Sequence, residues 1–243
     1  MKHLDEQSVE LLEQYAKSLN LVIDHATAVR LVLQLDGLLE ANTKLNLTRI
    51  VEPNSAIRLH TLDSLTALPE VLAAPEGDIL DIGTGGGIPG LPLMIATSRR
   101  GVLIDSVAKK ARAVAAMVAA LGLADQVEVD AARAEDIALR DPARFAVVVA
   151  RAVAPLPSLV ELAAPLLKKN GVLVALKGRP EEAELGSGVR VAKAVGMRFE
   201  SSRTLSLPGD GAETRTILVY RKVGRPSVRL PRRVGLAQSA PLG

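Results

Sequence analysis

The residues with the greatest chemical potential run from Asp81 to Gly90, Asp-Ile-Gly-Thr-Gly-Gly-Gly-Ile-Pro-Gly, with a further acid, Asp105, twenty residues beyond Gly85. The short apolar run Ile79 to Ile82, broken by Asp81, leads into them, so the pattern is a strand entering a tight glycine loop. A carboxylate at the end of a buried strand is costly unless a partner or a ligand satisfies it. The spacing Gly85-x-Gly87-x-x-Gly90 matches the dinucleotide fingerprint and, read alone with Asp105, suggests NAD. Against that, the turn already begins at Gly83, directly after Asp81, and Pro89 removes a backbone donor that a pyrophosphate would use.

A cationic ligand without phosphate fits better. S-adenosylmethionine carries a sulfonium and an ammonium-carboxylate tail, and it needs close backbone approach plus an acid near its methionine end. Gly83 and Gly85 offer the approach and Asp81 the acid. Asp105, at the end of the next strand, is placed for the ribose diol. Ala134-Glu135, just past the third strand, would lie against the adenine. A purely structural alternative has Asp81 capping the turn that follows it.

The elements that must position these residues are legible from periodicity. Residues 4 to 20 form a first amphipathic helix with acids near its start. Thr27 is a candidate N-cap for a second helix, and Ser55 for a third, on which His60, Asp63 and Ser64 share a face. From residue 78 strands alternate with helices, the signature of a parallel sheet covered on both faces. Strands are expected at 79–82, 102–105, 127–129, 145–150, 172–176, 197–205 and 216–220, with helices at 89–97, 109–121, 156–167 and 181–195. The fold expected is therefore α/β and Rossmann-like, with seven mostly parallel strands. A helical region (1–74) precedes the sheet domain (75–222), and a basic flexible tail (223–243) follows it.

Composition narrows the possible chemistry. The absence of cysteine excludes disulfides, thiolate metal sites and cysteine nucleophiles. The three His are far apart in sequence, giving no metal-ligand spacing. Aromatic residues make up only 2%, so stacking platforms for single-stranded bases are scarce. No leader or membrane-spanning run is visible, which makes a cytoplasmic monomer without membrane attachment the expectation. The last 23 residues, 221–243, hold six Lys/Arg and no acid. Arg225, Arg229, Arg232 and Arg233, spaced by Gly and Pro, are candidate phosphate contacts.

Several motifs occur together and in order: Asp81 through Leu93, Asp105-Ser106 with Lys109-Lys110, Arg133-Ala134-Glu135, Ala150-Arg151-Ala152-Val153 and Ala175-Leu176-Lys177-Gly178. With Asn46-Leu47-Thr48 and His60-x-x-Asp63-Ser64-Leu65 they resemble the bacterial ribosomal RNA small subunit methyltransferase G family, also called glucose-inhibited division protein B. The resemblance implies a class I methyltransferase that moves methyl from S-adenosylmethionine to N7 of guanine 527, in the 530 loop of 16S rRNA, within the 30S subunit or an assembly intermediate. It places cofactor contacts on Gly83, Ile88, Ala134, Glu135 and Arg151, with Ser106 beside Asp105. Where the family usually has an aromatic residue before Asn-Leu-Thr, this chain has Thr43-Lys44-Leu45.

The residues after strand four bear on the acceptor. Enzymes that methylate exocyclic base amines usually carry Asp/Asn-Pro-Pro-aromatic there, whereas this chain has Ala150-Arg-Ala-Val-Ala-Pro. Guanine N7 carries no proton, so its attack needs alignment and no general base. Arg151 and Lys177, at the ends of strands four and five, are the catalytic candidates and could hold the guanine edge or a phosphate. His60, Lys109, Lys110 and Lys177 join the tail arginines as candidate RNA contacts. Rival readings are an NAD-dependent oxidoreductase, a non-catalytic small-subunit assembly factor and a small-molecule methyltransferase.

Overall fold

The computed structural model describes residues 4–209, 211 and 213–242. Residues 1–3 and 243, the ends of the expected helical region and tail, and residues 210 and 212 lie outside the described part. Helix α1 (Glu6–Ser18) opens on a capping box in which Asp5 accepts from the Ser8 amide. Helix α2 (His25–Leu45) is capped by Asp24, whose carboxylate accepts from the Thr27 amide at 2.7 Å. Thr27 is therefore the recipient of the cap, not the cap itself. Similarly, Glu52 accepts from the amides of Asn54 and Ser55 and Pro53 opens α3 (Pro53–Ala56), so Ser55 is not the N-cap. In both cases an acid three residues upstream, with extended backbone, reaches the free amides first.

The chain continues through a π-helical segment (Ile57–Leu62), α4 (Asp63–Leu65) and α5 (Leu68–Leu72). Seven strands follow: β1 (Ile79–Ile82), β2 (Gly101–Ile104), β3 (Val127–Asp130), β4 (Phe145–Arg151), β5 (Leu167–Lys177), β6 (Met197–Ser206) and β7 (Thr214–Lys222). They form one sheet in the order β3-β2-β1-β4-β5-β7-β6, parallel except for β7, which runs antiparallel to both its neighbours. The strands are covered by α6 (Gly90–Thr97), α7 (Ala108–Ala120), α8 (Ala134–Arg140), α9 (Leu156–Ala163), α10 (Glu182–Ala194) and α11 (Leu236–Ser239).

Alternation along the strands divides the core. Ile79, Leu103, Val147, Val149 and Val174 face one side, where α1, α2, α6 and α7 pack. Leu80, Val102, Val148, Ala150 and Leu173 face the other, beneath α8, α9 and α10. Each central strand is buried on both faces and so reads as a continuous apolar run, as parallel sheets require. The chain passes outward from β1 to β2 and β3, then returns to β4 on the other side of β1. That reversal opens a crevice at the C-terminal ends of β1 and β4, where ligands bind in open α/β sheets.

Four parts of the chain differ from expectation. Helix α9 stops at Ala163 rather than near residue 167: Ala164 still has helical backbone, but Pro165 has no amide to donate to the Glu161 carbonyl and so cannot continue the ladder. Strand β5 starts at Leu167, five residues early, pairing with Phe145 before a register shift restores the ladder at Val172. The C-terminal segment, expected to be flexible, is docked: Leu230 and Leu242 pack on the core and Ala237 is buried. Helix α8 has no counterpart among the expected elements.

The helical region does more than cover the sheet. Leu38 of α2 is buried, and a Cβ built on Gly86 would lie 2.5 Å from its Cδ1. The glycine loop therefore has its shape because α2 leaves room for hydrogen at residue 86 and nothing larger. Gly86→Ala should destabilise by about 1–3 kcal/mol through overpacking. In urea denaturation the double variant Leu38→Ala, Gly86→Ala should recover at least about 1 kcal/mol relative to additivity; strictly additive effects would show that the two residues do not press on each other.

Candidate active site

Asp81 lies at the third position of the four-residue strand β1 and is fully buried. Its Oδ2 accepts from the Gly90 amide at 2.9 Å, which ties the end of the glycine loop back to its beginning. Its Oδ1 has no partner, and neither has the buried Thr84 hydroxyl oxygen. Loss of hydration pushes the Asp81 carboxyl up to about 6, against the pull of the nearby Thr84 hydroxyl, the Gly90 amide and the Arg151 charge. A Cβ at Gly90 would sit 2.5 Å from the Asp81 Cβ, so only glycine allows this closure.

Asp105 pins the middle of the same loop. Its Oδ2 accepts from the Gly85 amide at 3.0 Å and its Oδ1 from the Val107 amide at 2.8 Å. Gly83, Gly85 and Gly87 adopt positive φ of 71°, 56° and 91°, which L side chains rarely do. Both acids thus hold the loop's backbone, and neither lines either of the two cavities in the crevice, so the structural reading of Asp81 is part of the outcome. The donor chemistry fits a cationic ligand: two carboxylates, one with an orphaned oxygen, lie beneath a glycine surface with no lysine or arginine of its own.

The crevice holds two cavities on either side of residues 151–153. The smaller, about 60 Å³, is lined by Ile82, Gly83, Ser106, Ala134, Glu135, Val153 and Gln238, among others. It gathers four of the expected cofactor positions at one place. Ile88 is buried and lines neither cavity, and Gly85 reaches the site only through its bond to Asp105.

The larger cavity, about 410 Å³, lies between the sheet and the helical region and brings together His60, Asp63, Arg151, Lys177, Glu213 and Arg215. Asp63 is buried and accepts from two arginines, Arg151 Nη1 at 2.7 Å and Arg215 Nε at 2.6 Å. Arg151 also donates to the Leu59 carbonyl at 2.9 Å, so it spans from β4 to the π-helical segment. Lys177 is not a free strand-end lysine: its Nζ donates to the Ala154 carbonyl at 3.0 Å and pairs with Glu184 at 2.7 Å, bracing the loop after β4. Glu213 is held by Arg58 in a two-pronged ion pair.

His60 is buried within the π-helical segment, a feature frequent at functional sites. Its Nε2 is 2.9 Å from the Thr48 hydroxyl and its Nδ1 has no partner. Burial and the neighbouring Arg151 push its pKa down to about 4, so the imidazole is neutral near pH 7. The Asn-Leu-Thr connector has a physical reading: Asn46 ends α2 with φ 51°, and Thr48 bonds His60 while accepting from the Ile50 amide.

The remaining expected RNA contacts lie elsewhere. Lys109 is exposed and Lys110 half-buried on the first turn of α7, and neither lines either of these two cavities. Arg225, Arg229 and Arg233 are exposed. Arg232 is committed inward, to Glu161. Sequence reasoning missed Arg58, Glu213 and Arg215, whose only signal was their charge, far along the chain from the partners they meet. Among the described residues no cluster of His, Asp and Glu could hold a metal ion, and no helix is long and apolar enough to cross a membrane.

The fold has the seven-stranded arrangement of known methyltransferases. It matches the O-methyltransferase from Bacillus cereus in complex with SAH with a TM-score of 0.56 at 20% identity, covering 88% of this chain and 100% of that one. It matches a geranyl diphosphate methyltransferase in complex with sinefungin with a TM-score of 0.57 at 13% identity, covering 76% and 84%. The sheet order, the crevice and the glycine loop define a class I, Rossmann-like methyltransferase fold with an N-terminal helical extension.

The sequence pattern of one family, rRNA small subunit methyltransferase G, matches residues 28–213. Relatives bearing the name Ribosomal RNA small subunit methyltransferase G include a protein of Lactobacillus helveticus, 37% identical over 84% of this chain and 87% of its own length. Others are from Pelotomaculum thermopropionicum, 35% identical over 96% and 98%, and Deinococcus deserti, 36% identical over 98% of each chain. The chain belongs to the ribosomal RNA small subunit methyltransferase G family.

The ion pairs of Asp63 link the helical region to the sheet at this site. Removing one partner of a fully buried pair costs about 3–5 kcal/mol. The two arginine side chains here remain about one-fifth exposed. Asp63→Ala should therefore cost less, roughly 2–3 kcal/mol by urea denaturation, and Asp63→Asn should recover part of that loss. A change within about 0.5 kcal/mol would mean the charges contribute no net stability.

Proposed function

We propose that this protein transfers a methyl group from S-adenosylmethionine to N7 of guanine 527 in 16S rRNA, acting as a cytoplasmic monomer on the 30S subunit or its assembly intermediate. The observation that carries the choice of acceptor is the chemistry of the larger cavity, which is cationic and offers no poised base. Asp63 is locked between Arg151 and Arg215, Glu213 is held by Arg58, and His60 has its pKa pushed down to about 4. In that cavity neither His60 nor Glu213, which Arg58 holds below the usual carboxylate range, is matched to taking a proton at neutral pH. Guanine N7 has none to lose.

The cofactor supplies an electrophilic methyl: N7 uses its lone pair to form the new N–C bond while the S–C bond breaks toward sulfur, leaving S-adenosyl-L-homocysteine and a positively charged guanine ring. The protein's contribution is alignment and a fitting field. Gly83 and Gly85 allow close approach, Asp81 and Asp105 place negative charge beneath the cofactor, and Ser106, Ala134 and Glu135 border its adenosine end. Arg151, lying between Asp81 and the larger cavity, couples the two halves and, with Lys177, faces the guanine O6 or a neighbouring phosphate. The unpartnered His60 Nδ1 lies beside the same cavity. Lys109, Lys110, Arg225, Arg229 and Arg233 extend the basic surface toward RNA, whereas Arg232 does not.

The experiment is methyl transfer from labelled S-adenosylmethionine to 30S subunits lacking the modification, with mapping of the labelled base. Label at guanine 527 N7 is expected; label only in a small metabolite, or NAD binding without S-adenosylmethionine binding, would overturn the reading. Arg151→Ala should lower kcat at least about tenfold, the scale of a lost positioning contact.

A pH dependence follows from Asp81. Its carboxyl, near 6 in the unliganded protein, must ionise to favour a cationic ligand. Affinity for S-adenosylmethionine should therefore fall as pH drops below about 6, with a proton released on binding in that lower range. Calorimetry in buffers of different ionisation enthalpy would detect the proton. Asp81→Asn should bind weakly at all pH values with this dependence gone, and a pH-independent wild-type affinity would exclude Asp81 as the linked group.

A further inference from the structure

The segment after β7 is built around one buried carboxylate. Glu161, on α9, is 2% exposed and receives Arg232 through Nε at 2.6 Å and Nη2 at 2.7 Å. Arg232 also donates to the Ala240 carbonyl at 2.7 Å, and the Leu242 amide donates to Glu161 at 3.2 Å. Both ends of residues 232–242 are thus fastened at the same point, because a desolvated acid needs these donors. Between those ends the chain crosses the smaller cavity. Gly235, with φ 81°, donates its amide to Glu135 Oε1 at 2.8 Å, Ala237 is 2% exposed, and Gln238 lines the cavity with Gly83, Ser106, Glu135 and Val153.

We propose that residues 232–242 are the outer wall of the cofactor site and that Gln238 is a further binding residue for the purine base of the cofactor. The proposal rests on the S-adenosylmethionine reading given above. One oxygen of Glu135 is taken by the Gly235 amide, and the residue lines the same cavity as Gln238. The carboxamide of Gln238 both donates and accepts, matching the adjacent donor and acceptor on the adenine edge. The cavity beneath the wall holds about 60 Å³, well under the roughly 300–1,000 Å³ of small-molecule sites. Adenosine therefore enters with the wall displaced, and the wall closes over it. The expected RNA-binding tail is, in its second half, a part of the cofactor pocket.

The chain has no cysteine, so Gln238→Cys provides a single, exposed thiol. Its modification by Ellman's reagent should slow at least about tenfold in saturating S-adenosylhomocysteine, by analogy with groups covered in a closed site. Ser202→Cys, exposed on β6, is the control and should react at the same rate with and without ligand. Gln238→Ala, folded by circular dichroism, should bind S-adenosylhomocysteine about three- to tenfold more weakly by calorimetry, the scale of one hydrogen-bonded contact. If native protein does not bind S-adenosylhomocysteine, the cofactor reading itself fails. If it binds while the thiol of Gln238→Cys is modified at an unchanged rate, the wall proposal is overturned. Loss of ligand binding in Gln238→Cys alone would support it.

Discussion

Asp81 lies one residue before the end of the strand at the sheet's switch point with its carboxylate out of water, and the loop that follows takes its form from that cost. The Gly90 amide relieves half of it by returning to Oδ2, which obliges nine residues to make a closed turn with no Cβ at its end. Asp105 repeats the device one strand over, holding Gly85. The remaining deficit, an oxygen without a partner and a carboxyl raised to about 6, leaves the site prepared for positive charge. Strain and desolvation of this kind persist only where the surrounding structure over-determines them, and here the sheet and α2 do so from opposite sides.

A second buried acid organises the other half of the site on different terms. Asp63 has its charge matched twice, by an arginine from the end of β4 and one from the start of β7. Since both arginines are donated across the gap between the helical region and the sheet, the N-terminal helices form one wall of the larger cavity instead of an appended domain. The same pairing commits both Asp63 oxygens to arginines, and burial with Arg151 keeps His60 neutral. The cavity's chemistry is thus electrostatic positioning.

The third buried acid, Glu161, explains why the basic C-terminal segment is not a free arm. Its composition, rich in arginine and without acids, is what an RNA-binding tail would show, and its exposed members Arg225, Arg229 and Arg233 still suit that surface. Arg232 has the same composition around it but a different fate, because an acid on α9, 71 residues earlier, lies within reach. Local sequence contains no trace of that distance.

By itself, the sequence determined the order and type of nearly every strand, the glycine loop, the two acids that shape it and the family. The family came from the resemblance of its ordered motifs; the rest follows from local rules: short apolar runs alternating with helical periodicity, conformations that only glycine adopts, and the cost of a carboxylate in an apolar run. Only the tertiary structure decided which charges neutralise one another. It showed Lys177 tied to Glu184, Asp63 shared by Arg151 and Arg215, Arg58 paired with Glu213, and the tail folded over Glu135 and Glu161. Coulomb attraction depends on separation in space, and residues as far apart in the chain as Arg58 and Glu213 become neighbours only when the sheet brings β7 beside β5 and the helices over β4. The caps of α2 and α3 differ for a smaller version of the same reason, since Asp24 and Glu52 win the free amides by geometry that composition does not record.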